Sequence, residues 1–509
     1  MLANLLMLAP LLLTLVLALV LRRTLVALGV GIVSGALILS SFNPLESIHY
    51  LSSTAWQQFY ANGQWQAWHL NVLAAMVLLG VMTQLLARGG AVKSFADWLY
   101  HRIQSGRQAR IGVVLLGWVV FIDGIFSCLA VGHVCQPLSQ RYQMSKEQIA
   151  YLVDSNASPL CSLLPFSSWG PYVMAILAGI TLMPLSPLES FIAIAQLNFY
   201  AITVIVLSLL IAWFGIGFTY PKAANAETSQ SATEDANHAD ASTEVAAGSP
   251  WLLGVPMASL LLASIGFTLW SGAANATSNE LAAWLTAADI GAAMRDACLL
   301  ATGIAVVMLK FAGRSLTQLL TDTVAGIKVI SFAIAILLFT WMIGAVIADL
   351  GVAKLLASWA EQFISSHILV AGCFVLCAVM AFTTGSSWGT FAIMIPIGAE
   401  IAQAVDQTLM LPVLSAVMAG SVFGDHCSLI SDTSVISATS SGCAPHAHVV
   451  TQLPFAMIAA LSAIVGFQAI NLGLAPLWSW IMVLSVAAAL LYGYQQLTTS
   501  RAARISSAG

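Results

Sequence analysis

The chain has 509 residues, of which 59% are hydrophobic and only 7% are charged, far below the roughly 25% charged residues of soluble globular domains. Its mean hydropathy of +0.91 indicates a protein whose solvent is largely lipid. A net charge of −4, from 17 basic and 21 acidic residues, argues against a nucleic-acid partner.

Apolar runs that are long enough to cross a membrane recur along the chain. A hydrocarbon core of about 30 Å takes about 20 helical residues. The first run is expected to remain as an anchor, because its positive pair, Arg22 and Arg23, follows the run instead of preceding it. We predict about eleven crossings, near residues 5–21, 24–41, 70–87, 148–180, 190–219, 250–270, 289–311, 329–349, 410–440, 448–470 and 474–494.

A polar segment separates the apolar sequence into two parts. Residues 221–250 are rich in Ala, Ser, Thr and Asn, and they carry five acids and one lysine. Such a stretch has too little apolar surface to offset the entropy of ordering it. We therefore expect a first membrane half at 1–220, a disordered cytoplasmic linker at 221–250, a second membrane half at 251–495 and a cytoplasmic tail at 496–509.

The eight cysteines give no sign of a metal or redox centre. They fall in or beside apolar segments, and none of them forms a CxxC pair. Packing inside the protein is the ordinary role of such thiols. We therefore expect no cofactor.

The two halves resemble each other at a fixed offset of 261 residues. Three residues of GGAVKSFADW recur at this offset in LGVAKLLASW, namely Gly90, Lys93 and Trp98 as Gly351, Lys354 and Trp359. The same offset carries FIDG, from Phe121, onto FTTG, from Phe382. Farther on the register slips by nine residues, and DSNASPLCSLL parallels GDHCSLISDT. This pattern predicts an internal repeat with cores at about 70–220 and 329–470.

The positions of Lys and Arg, which favour the cytoplasmic side of short loops, predict that the repeat is inverted. The loop with Arg88 and Lys93 and the loop with Lys310 and Arg314 are both expected inside, so 329–349 runs opposite to 70–87. The inside and outside positions of the loops agree with the distribution of Lys and Arg only if the segments 110–140 and 367–402 each enter and leave the membrane on the same side, as re-entrant hairpins. We therefore predict an all-α polytopic membrane protein with about eleven transmembrane helices, two re-entrant helical hairpins and an inverted repeat with broken helices.

Four polar stretches rich in Gly, Ser and Pro interrupt the apolar sequence. They lie at 121–128, 153–171, 382–391 and 423–437. Non-helical backbone at membrane depth persists only where protein or a water-filled cavity satisfies it. Inverted repeats with interrupted helices are typical of secondary transporters, whose binding site lies where the repeats meet. We expect the site at these interruptions.

The interruptions contain four carboxyl groups, Asp123, Asp154, Asp425 and Asp432. An ionised carboxylate inside a membrane helix costs about 3 kcal/mol, so each one is a candidate for ion or proton binding. Asp425 and Asp432 form the strongest pair, because a spacing of seven residues places them on one face of a continuous helix. Capping of broken helix ends is the alternative role, above all for Asp154.

Oxygen-bearing side chains beside these acids are the hard ligands that an alkali cation prefers. They are Asn156, Ser158, Ser428, Ser431 and Thr433. A Na⁺ ion held by Asp425, Asp432 and Ser428 is our central hypothesis, with Asp123 and Asn156 facing them. One or two of the carboxylates would alternate between the cation and a proton.

His426 and two tryptophans are further candidates. His426 lies between the paired acids and suits proton sensing, with ordinary packing as the alternative. Trp169, Trp388 and the neighbouring Ser387 could close the site as a gate, or they could pack at the repeat interface. Residues 385–389 also fit G-x-S-x-G, but a nucleophilic Ser387 with His426 as base would need a strand before the motif. We do not expect an enzyme.

These motifs resemble those of a known family. FGDHCSLISDTSVIS, GSSWGTF and LVDSNASPLCSLLPFSSWG are similar to segments of NhaC-type Na⁺/H⁺ antiporters of the ion-transporter superfamily, and the resemblance spans about 70–470. It implies that the family's acidic signature falls on Asp425, His426, Ser428 and Asp432. The chain departs from the family at Leu429, where proline is frequent.

The resemblance implies an antiporter of the bacterial inner membrane that exchanges Na⁺ or Li⁺ for protons by alternating access. The same family also includes exchange of organic anions such as malate and lactate with Na⁺ and protons. That alternative would rest on helix ends, because no Arg lies within the four interruptions. A channel shares the composition, but a two-fold repeat with buried acids suits a transporter. Expected partners are inorganic cations, protons, the bilayer and, as a homodimer, a second copy.

Overall fold

The computed structural model describes residues 2–21, 23–180, 183, 185–218, 249–280, 283–284, 287–351 and 368–508. Almost all regular structure in these ranges is helical. The predicted linker lies outside them except for its last two residues, and so do Lys354 and Trp359 of the repeat.

The helices of the first half are 5 to 22 residues long. They are α1 (Leu2–Leu21), α2 (Thr24–Leu39), α3 (Pro44–Gln57), α4 (Ala67–Arg88), α5 (Ala91–Tyr100), α6 (Gly106–Val119), α7 (Gly124–Cys135), α8 (Leu138–Tyr142), α9 (Lys146–Cys161), α10 (Trp169–Ala178), α11 (Pro187–Gln196) and α12 (Phe199–Phe214). A minimal antiparallel hairpin of β1 (Tyr60–Ala61) and β2 (Gln64–Trp65) joins α3 to α4, with Tyr60 opposite Trp65.

The second half continues this numbering with generally longer helices. They are α13 (Trp251–Asn275), α14 (Ile290–Phe311), α15 (Leu316–Asp349), α16 (Leu369–Thr384), α17 (Ser387–Val405), α18 (Met410–Cys427), α19 (Asp432–Ser441), α20 (Pro445–Asn471) and α21 (Pro476–Ala508). A 3-10 turn at Gln407–Leu409 leads into α18, and α21 continues through the predicted tail.

Eight helices of the described residues are long and apolar enough to cross a membrane, and the pair α11 and α12, bent by 53°, would form a ninth span. The predicted all-α polytopic class with broken helices is confirmed. The count of eleven is approximate, because the crossings predicted at 148–180 and 410–440 are each made of two helices with a break between them. α17 alone is long enough to span, so the re-entrant path of 367–402 stays a prediction.

Gly90 and Gly351, the first pair of glycines in the repeat, have the same backbone conformation. α4 ends at Arg88 and α15 at Asp349, which is the same offset of 261. Soon after each end a glycine is left-handed, with φ of 74° at Gly90 and 67° at Gly351. A side chain is strained in that conformation, which explains why glycine occupies both positions. After the corresponding helices of the two halves, the chain therefore changes direction at a left-handed glycine.

A buried ion cluster connects the first helices of the two repeat cores. α4 packs against α15, and Asp322 on α15 pairs with Arg314 and, at 3.7 Å, with Arg88 at the end of α4. The side chain of Asp322 is only 4% exposed and that of Arg314 is 14% exposed. The cluster therefore holds the α4–α15 contact at one end of both helices.

We expect Asp322→Ala to lower the free energy of unfolding by about 3 kcal/mol, because it leaves a largely buried guanidinium without its partner. Asp296→Ala is the matched control. Asp296 also pairs with an arginine, at 2.7 Å, but the side chains are 37% and 40% exposed, so the expected loss is below about 1 kcal/mol. Thermal unfolding in detergent measures both. Equal losses would contradict a role for burial.

The cysteines are all free and mostly inside the protein. Seven of the eight are buried, and Cys443, in the turn between α19 and α20, is partly exposed. In the part of the chain that the structure describes, none of them forms a disulfide or belongs to a metal-binding cluster.

Candidate functional site

Each helical pair predicted as a hairpin meets the helix break of its own half. In the first half, the turn between α6 and α7 contacts the segment between α9 and α10, where Ser168 Oγ donates to Asp123 Oδ2 at 2.7 Å. In the second half, the end of α16 contacts the segment between α18 and α19, where Ser428 Oγ donates to the carbonyl oxygen of Phe382 at 2.8 Å. The same contact pattern is therefore used twice.

A cavity lies where these four breaks meet. It has about 320 Å³ of empty volume, including its open mouth. Its lining consists of Asp123, Ile125, Trp169, Gly385, Ser386, Ser387, Trp388, Asp425, Asp432 and Thr433. Three of these described residues carry carboxyl groups, and none is a lysine, arginine or histidine. The chemistry of the lining therefore suits a cation.

Asp425 is the most enclosed acid of the cavity. It lies in the last turn of α18 and is 4% exposed. Its Oδ2 accepts a hydrogen bond from Ser387 Oγ at 2.8 Å, and its Oδ1 accepts one from Ser431 Oγ at 2.5 Å. Ser387, predicted as part of a gate, is thus a direct partner of Asp425. Its hydroxyl faces this carboxylate instead of His426, which removes the serine–histidine pair of the enzyme alternative.

Asp432 and Asp123 reach the cavity from the first residues of two helices. Asp123 caps α7 by accepting from the Phe126 N–H at 3.0 Å, so the capping interpretation holds for this acid, which also lines the cavity. Asp432 is the exposed first residue of α19. The prediction that Asp425 and Asp432 share one helix face was wrong, because the helix breaks at 428–431 between them. They face one cavity across that break.

Ser428 and Thr433 differ in their relation to the cavity. Thr433 lines it. Ser428 is outside the lining, and its hydroxyl is occupied, since it donates to Phe382 and accepts from the Ile430 N–H at 3.3 Å. Ser428 therefore holds the break in place instead of facing the space between the acids.

Asp154 belongs to a second, fully enclosed cluster. It lies within α9 at 0% exposure, so it does not cap a broken end. Its Oδ2 accepts from Gln452 Nε2 at 2.9 Å and from Ser434 Oγ at 3.0 Å, and it lies 3.1 Å from His448 Nε2. The acid comes from the first half, and all three partners come from the second.

His426 turns towards this second cluster. Its Nδ1 lies 2.6 Å from the Tyr200 hydroxyl and its Nε2 lies 3.2 Å from Ser155 Oγ, with Asp154 Oδ2 at 3.9 Å. The ring is fully buried. Asp425 and His426, which are neighbours in the sequence, therefore serve different clusters.

Asn156 and Ser158 are buried outside the cavity lining. Asn156 accepts from Trp118 Nε1 at 2.8 Å and donates to the Leu152 carbonyl at 2.8 Å and to Ser208 Oγ at 2.9 Å. These bonds tie α9 to α6 and α12, which is a scaffolding arrangement. The Ser158 hydroxyl has no partner among the described residues.

The two candidate gate tryptophans pack against each other across the halves. The rings of Trp169 and Trp388 lie 5.8 Å apart at 66°. The ring of Tyr172 lies 4.5 Å from that of Trp388, and its hydroxyl donates to the Trp388 carbonyl at 2.7 Å. Both tryptophans line the cavity. They pack against each other there, and their role as a gate stays a prediction.

Sequence reasoning missed four members of the second cluster, Tyr200, Ser434, His448 and Gln452. One signal was available, because His448 and Gln452 are four residues apart at the start of α20 and therefore lie on one helix face. Polar residues so placed at the head of an apolar helix need a buried partner. That partner, Asp154, is in the other half.

The sequence matches a protein-family profile and is similar to known proteins. The profile of the Na⁺/H⁺ antiporter family matches residues 160–472. An uncharacterised protein of Haemophilus influenzae is 35% identical over 468 residues, which is 90% of this chain and 89% of that protein. The malate-2H⁺/Na⁺-lactate antiporter of Bacillus subtilis is 30% identical over 145 residues, 27% of this chain and 29% of the relative.

Two solved structures have the same fold. The YdaH transporter of Alcanivorax borkumensis superposes with a TM-score of 0.61 at 16% identity, over 88% of this chain and 98% of that one. MtrF of Neisseria gonorrhoeae, described with a class of antimetabolite efflux pumps, superposes with a TM-score of 0.55 at 14% identity, over 84% of each chain. At these identities the likeness extends to the fold alone.

Proposed function

The chain belongs to the Na⁺/H⁺ antiporter family, and on that premise we propose that this multi-pass secondary transporter exchanges Na⁺ for protons across the bacterial inner membrane. The observation that carries the proposal is the cavity with three carboxyl groups and, among its described lining residues, no basic side chain. Carboxylate and hydroxyl oxygens are the ligands that hard cations prefer. Li⁺ would share the site, because it is also a hard cation that prefers oxygen ligands.

Asp425 is the central ligand of the proposed cation site. Two serine hydroxyls already donate to its oxygens, which stabilises the ionised form that a cation needs. Asp432 and Thr433 supply oxygens from the far side of the break. The proposed Na⁺ ligands therefore include Thr433 in place of Ser428, which the sequence predicted. A proton on one of the carboxylates would remove the negative charge that holds Na⁺, and this competition couples the two ions.

Alternating access would use the breaks that surround the cavity. Broken helices next to a central site allow one part of each repeat to move against the other. The Tyr172–Trp388 hydrogen bond and the edge-to-face contact of the two tryptophans join the halves at the cavity. We propose that this aromatic contact closes the cavity on one side and separates when the halves rock.

A second candidate is exchange of an organic anion, as the name of the Bacillus subtilis relative describes for that protein. One structural observation favours it, because the first turns of α7, α10, α17 and α19 all line the cavity, and helix N-termini attract anions. Against it, three carboxyl groups share the same space. A dianion would need most of them protonated.

The test is transport by the full chain in liposomes that contain a pH-sensitive dye. We expect inward gradients of Na⁺ or Li⁺ to move protons out, and a K⁺ gradient to have no effect. Malate and lactate are then added, each with and without Na⁺. Proton movement that ignores every cation would refute the antiport proposal, and movement that requires malate or lactate would establish the second candidate.

A further inference from the structure

We propose that Asp154 and His448 form a proton-binding site that is separate from the cation cavity. The proposal rests on the antiport function and gives it a second proton-binding site, in addition to the cavity carboxylates on which a proton competes with Na⁺. Both side chains are fully buried, and neither lines the cavity. Their contact, at 3.1 Å, joins α9 of the first half to α20 of the second. A site of this kind ties proton occupancy to the relative position of the halves.

The donors around Asp154 suit a proton and not a metal ion. Oδ2 is surrounded by the Gln452 amide NH₂, the Ser434 hydroxyl and the His448 ring. On Oδ1 the one hydrogen bond among the described residues comes from Cys128 Sγ, at 4.0 Å. Donors that point at one carboxylate leave no shell of oxygens for a cation. The site can change charge only by gaining or losing a proton.

His448 has a free ring nitrogen for that proton. Its Nε2 faces Asp154, and its Nδ1 is buried with no partner among the described residues. With Nε2–H donating to the carboxylate, Nδ1 carries a lone pair that can accept one proton. The cluster then passes from a single buried negative charge to a neutral ion pair, which the interior accommodates at lower cost.

Other titratable groups face Asp154 from the surrounding helices and share its field. They are Cys128 on α7, Tyr200 on α12, and Asp425, His426 and Cys427 on α18. A negative charge on Asp425 repels a negative charge on Asp154. A cation bound at Asp425 would weaken that repulsion, so the two sites are electrostatically opposed in the sense that antiport requires.

A cavity that contains polar side chains lies at the start of α20, the helix that carries His448. It is lined by the start of α9, by Gly217 and Phe218, and by residues 446, 447, 450 and 451 of α20, which flank His448 along the helix. It includes two titratable side chains, Glu147 and His446. Lys146, beside Glu147, is on the side that the distribution of Lys and Arg predicts to be cytoplasmic. This cavity is the proposed entry for cytoplasmic protons.

Ser434 links the two sites mechanically. Its hydroxyl donates to Asp154 Oδ2, and it lies 3.5 Å from the Asp425 carbonyl and 3.4 Å from the His426 carbonyl. Ser434 is two residues after Asp432 in the first turn of α19. Protonation of the Asp154–His448 pair weakens the hydrogen bond that Ser434 donates to Asp154. The first turn of α19 then shifts, and Asp432 moves with it. Protonation of the Asp154–His448 site is thus connected to the geometry of the cation site through the N-terminal end of α19.

The test separates proton movement from cation movement in liposomes containing the full chain. Asp154→Asn and His448→Gln are compared with the wild type for Na⁺-driven proton flux, and for exchange of radioactive Na⁺ against Na⁺ at equal pH. We expect proton flux to fall about tenfold or more in both variants, because Asp154→Asn removes the charge that stabilises a protonated ring and His448→Gln removes the nitrogen that accepts the proton, while Na⁺ exchange falls by no more than about threefold. His133→Gln, a change at an exposed histidine on α7, is the control, and it should retain both proton flux and Na⁺ exchange.

Two results would overturn the proposal. One is loss of Na⁺ exchange in Asp154→Asn as complete as in Asp425→Asn, which would mean a single shared site. The other is full proton coupling in both variants. If Asp154→Asn does not give a monodisperse protein, His448→Gln decides alone, because glutamine keeps a donor towards Asp154 and cannot titrate. A wild type that exchanges no Na⁺ would refute the antiport function instead, so the two failures are distinct.

Discussion

Asp425→Asn is expected to reduce Na⁺-driven proton flux about a hundredfold or more, since a hundredfold corresponds to only about 2.7 kcal/mol. A cation at contact distance from an enclosed carboxylate gains more than that even at the moderate effective dielectric of a protein. Asparagine keeps the size and one acceptor oxygen, and the hydroxyls of Ser387 and Ser431 can rotate to meet it. The fold should therefore persist while the charge is lost.

The measurement is dye-reported proton flux in liposomes at several Na⁺ concentrations. Asp296→Asn is the matched control, because it makes the same change at an exposed acid paired with Arg295, and it should transport like the wild type. Flux by Asp425→Asn at the wild-type rate would remove Asp425 from the site. A rise in the Na⁺ concentration needed, with an unchanged maximal rate, would assign Asp425 to cation binding without proton exchange.

Gly424→Val is expected to destabilise the protein by about 3 kcal/mol and to abolish transport, because it overpacks the contact between α16 and α18. A Cβ atom at Gly424 would lie 2.5 Å from the backbone nitrogen of Phe382, and one at Gly420 would lie 3.1 Å from that of Ala378. Backbone atoms cannot move aside singly, so the helices must separate. The spacing fits the G-x-x-x-G pattern of close membrane helix contacts.

The consequence for transport follows from what α16 carries. Its last turn presents the Phe382 carbonyl to Ser428, and its C-cap Gly385 lines the cavity. Gly372→Val, on the same helix, is the control, since no heavy atom lies within 4 Å of a Cβ there. Thermal unfolding in detergent and transport in liposomes measure both variants. A Gly424→Val protein as stable as Gly372→Val would show that the helix contact is looser than described.

The positions of the four helix breaks around the cavity could be predicted from the sequence. Polar stretches at 121–128, 153–171, 382–391 and 423–437 contain the observed interruptions at 120–123, 162–168, 385–386 and 428–431, apart from one residue at the first. Glycine, proline and hydroxyl residues in an apolar background are a local signal, because each weakens a membrane helix where it stands. Local signals of this kind survive without knowledge of the tertiary structure.

The partners of each buried polar group could not be predicted in the same way. A seven-residue spacing suggested one helix face for Asp425 and Asp432, but the polar segment 428–431 ends the helix between them. His426 was expected beside Asp425, yet its ring turns to Tyr200, 226 residues earlier in the chain. Asp154 and His448 are 294 residues apart. Such pairings depend on how the halves pack, which periodicity does not encode.

The native cysteines are poorly placed to react with thiol-labelling reagents. Seven cysteines are buried. Burial first, and the neighbouring Glu147 second, raise the pKa of the Cys443 thiol to about 12, so little of it is thiolate at neutral pH. Membrane-impermeant maleimides should therefore react slowly with the unmodified protein. A single reporter cysteine on the cavity lining could then show, by its labelling from inside or outside, which way the transporter is open.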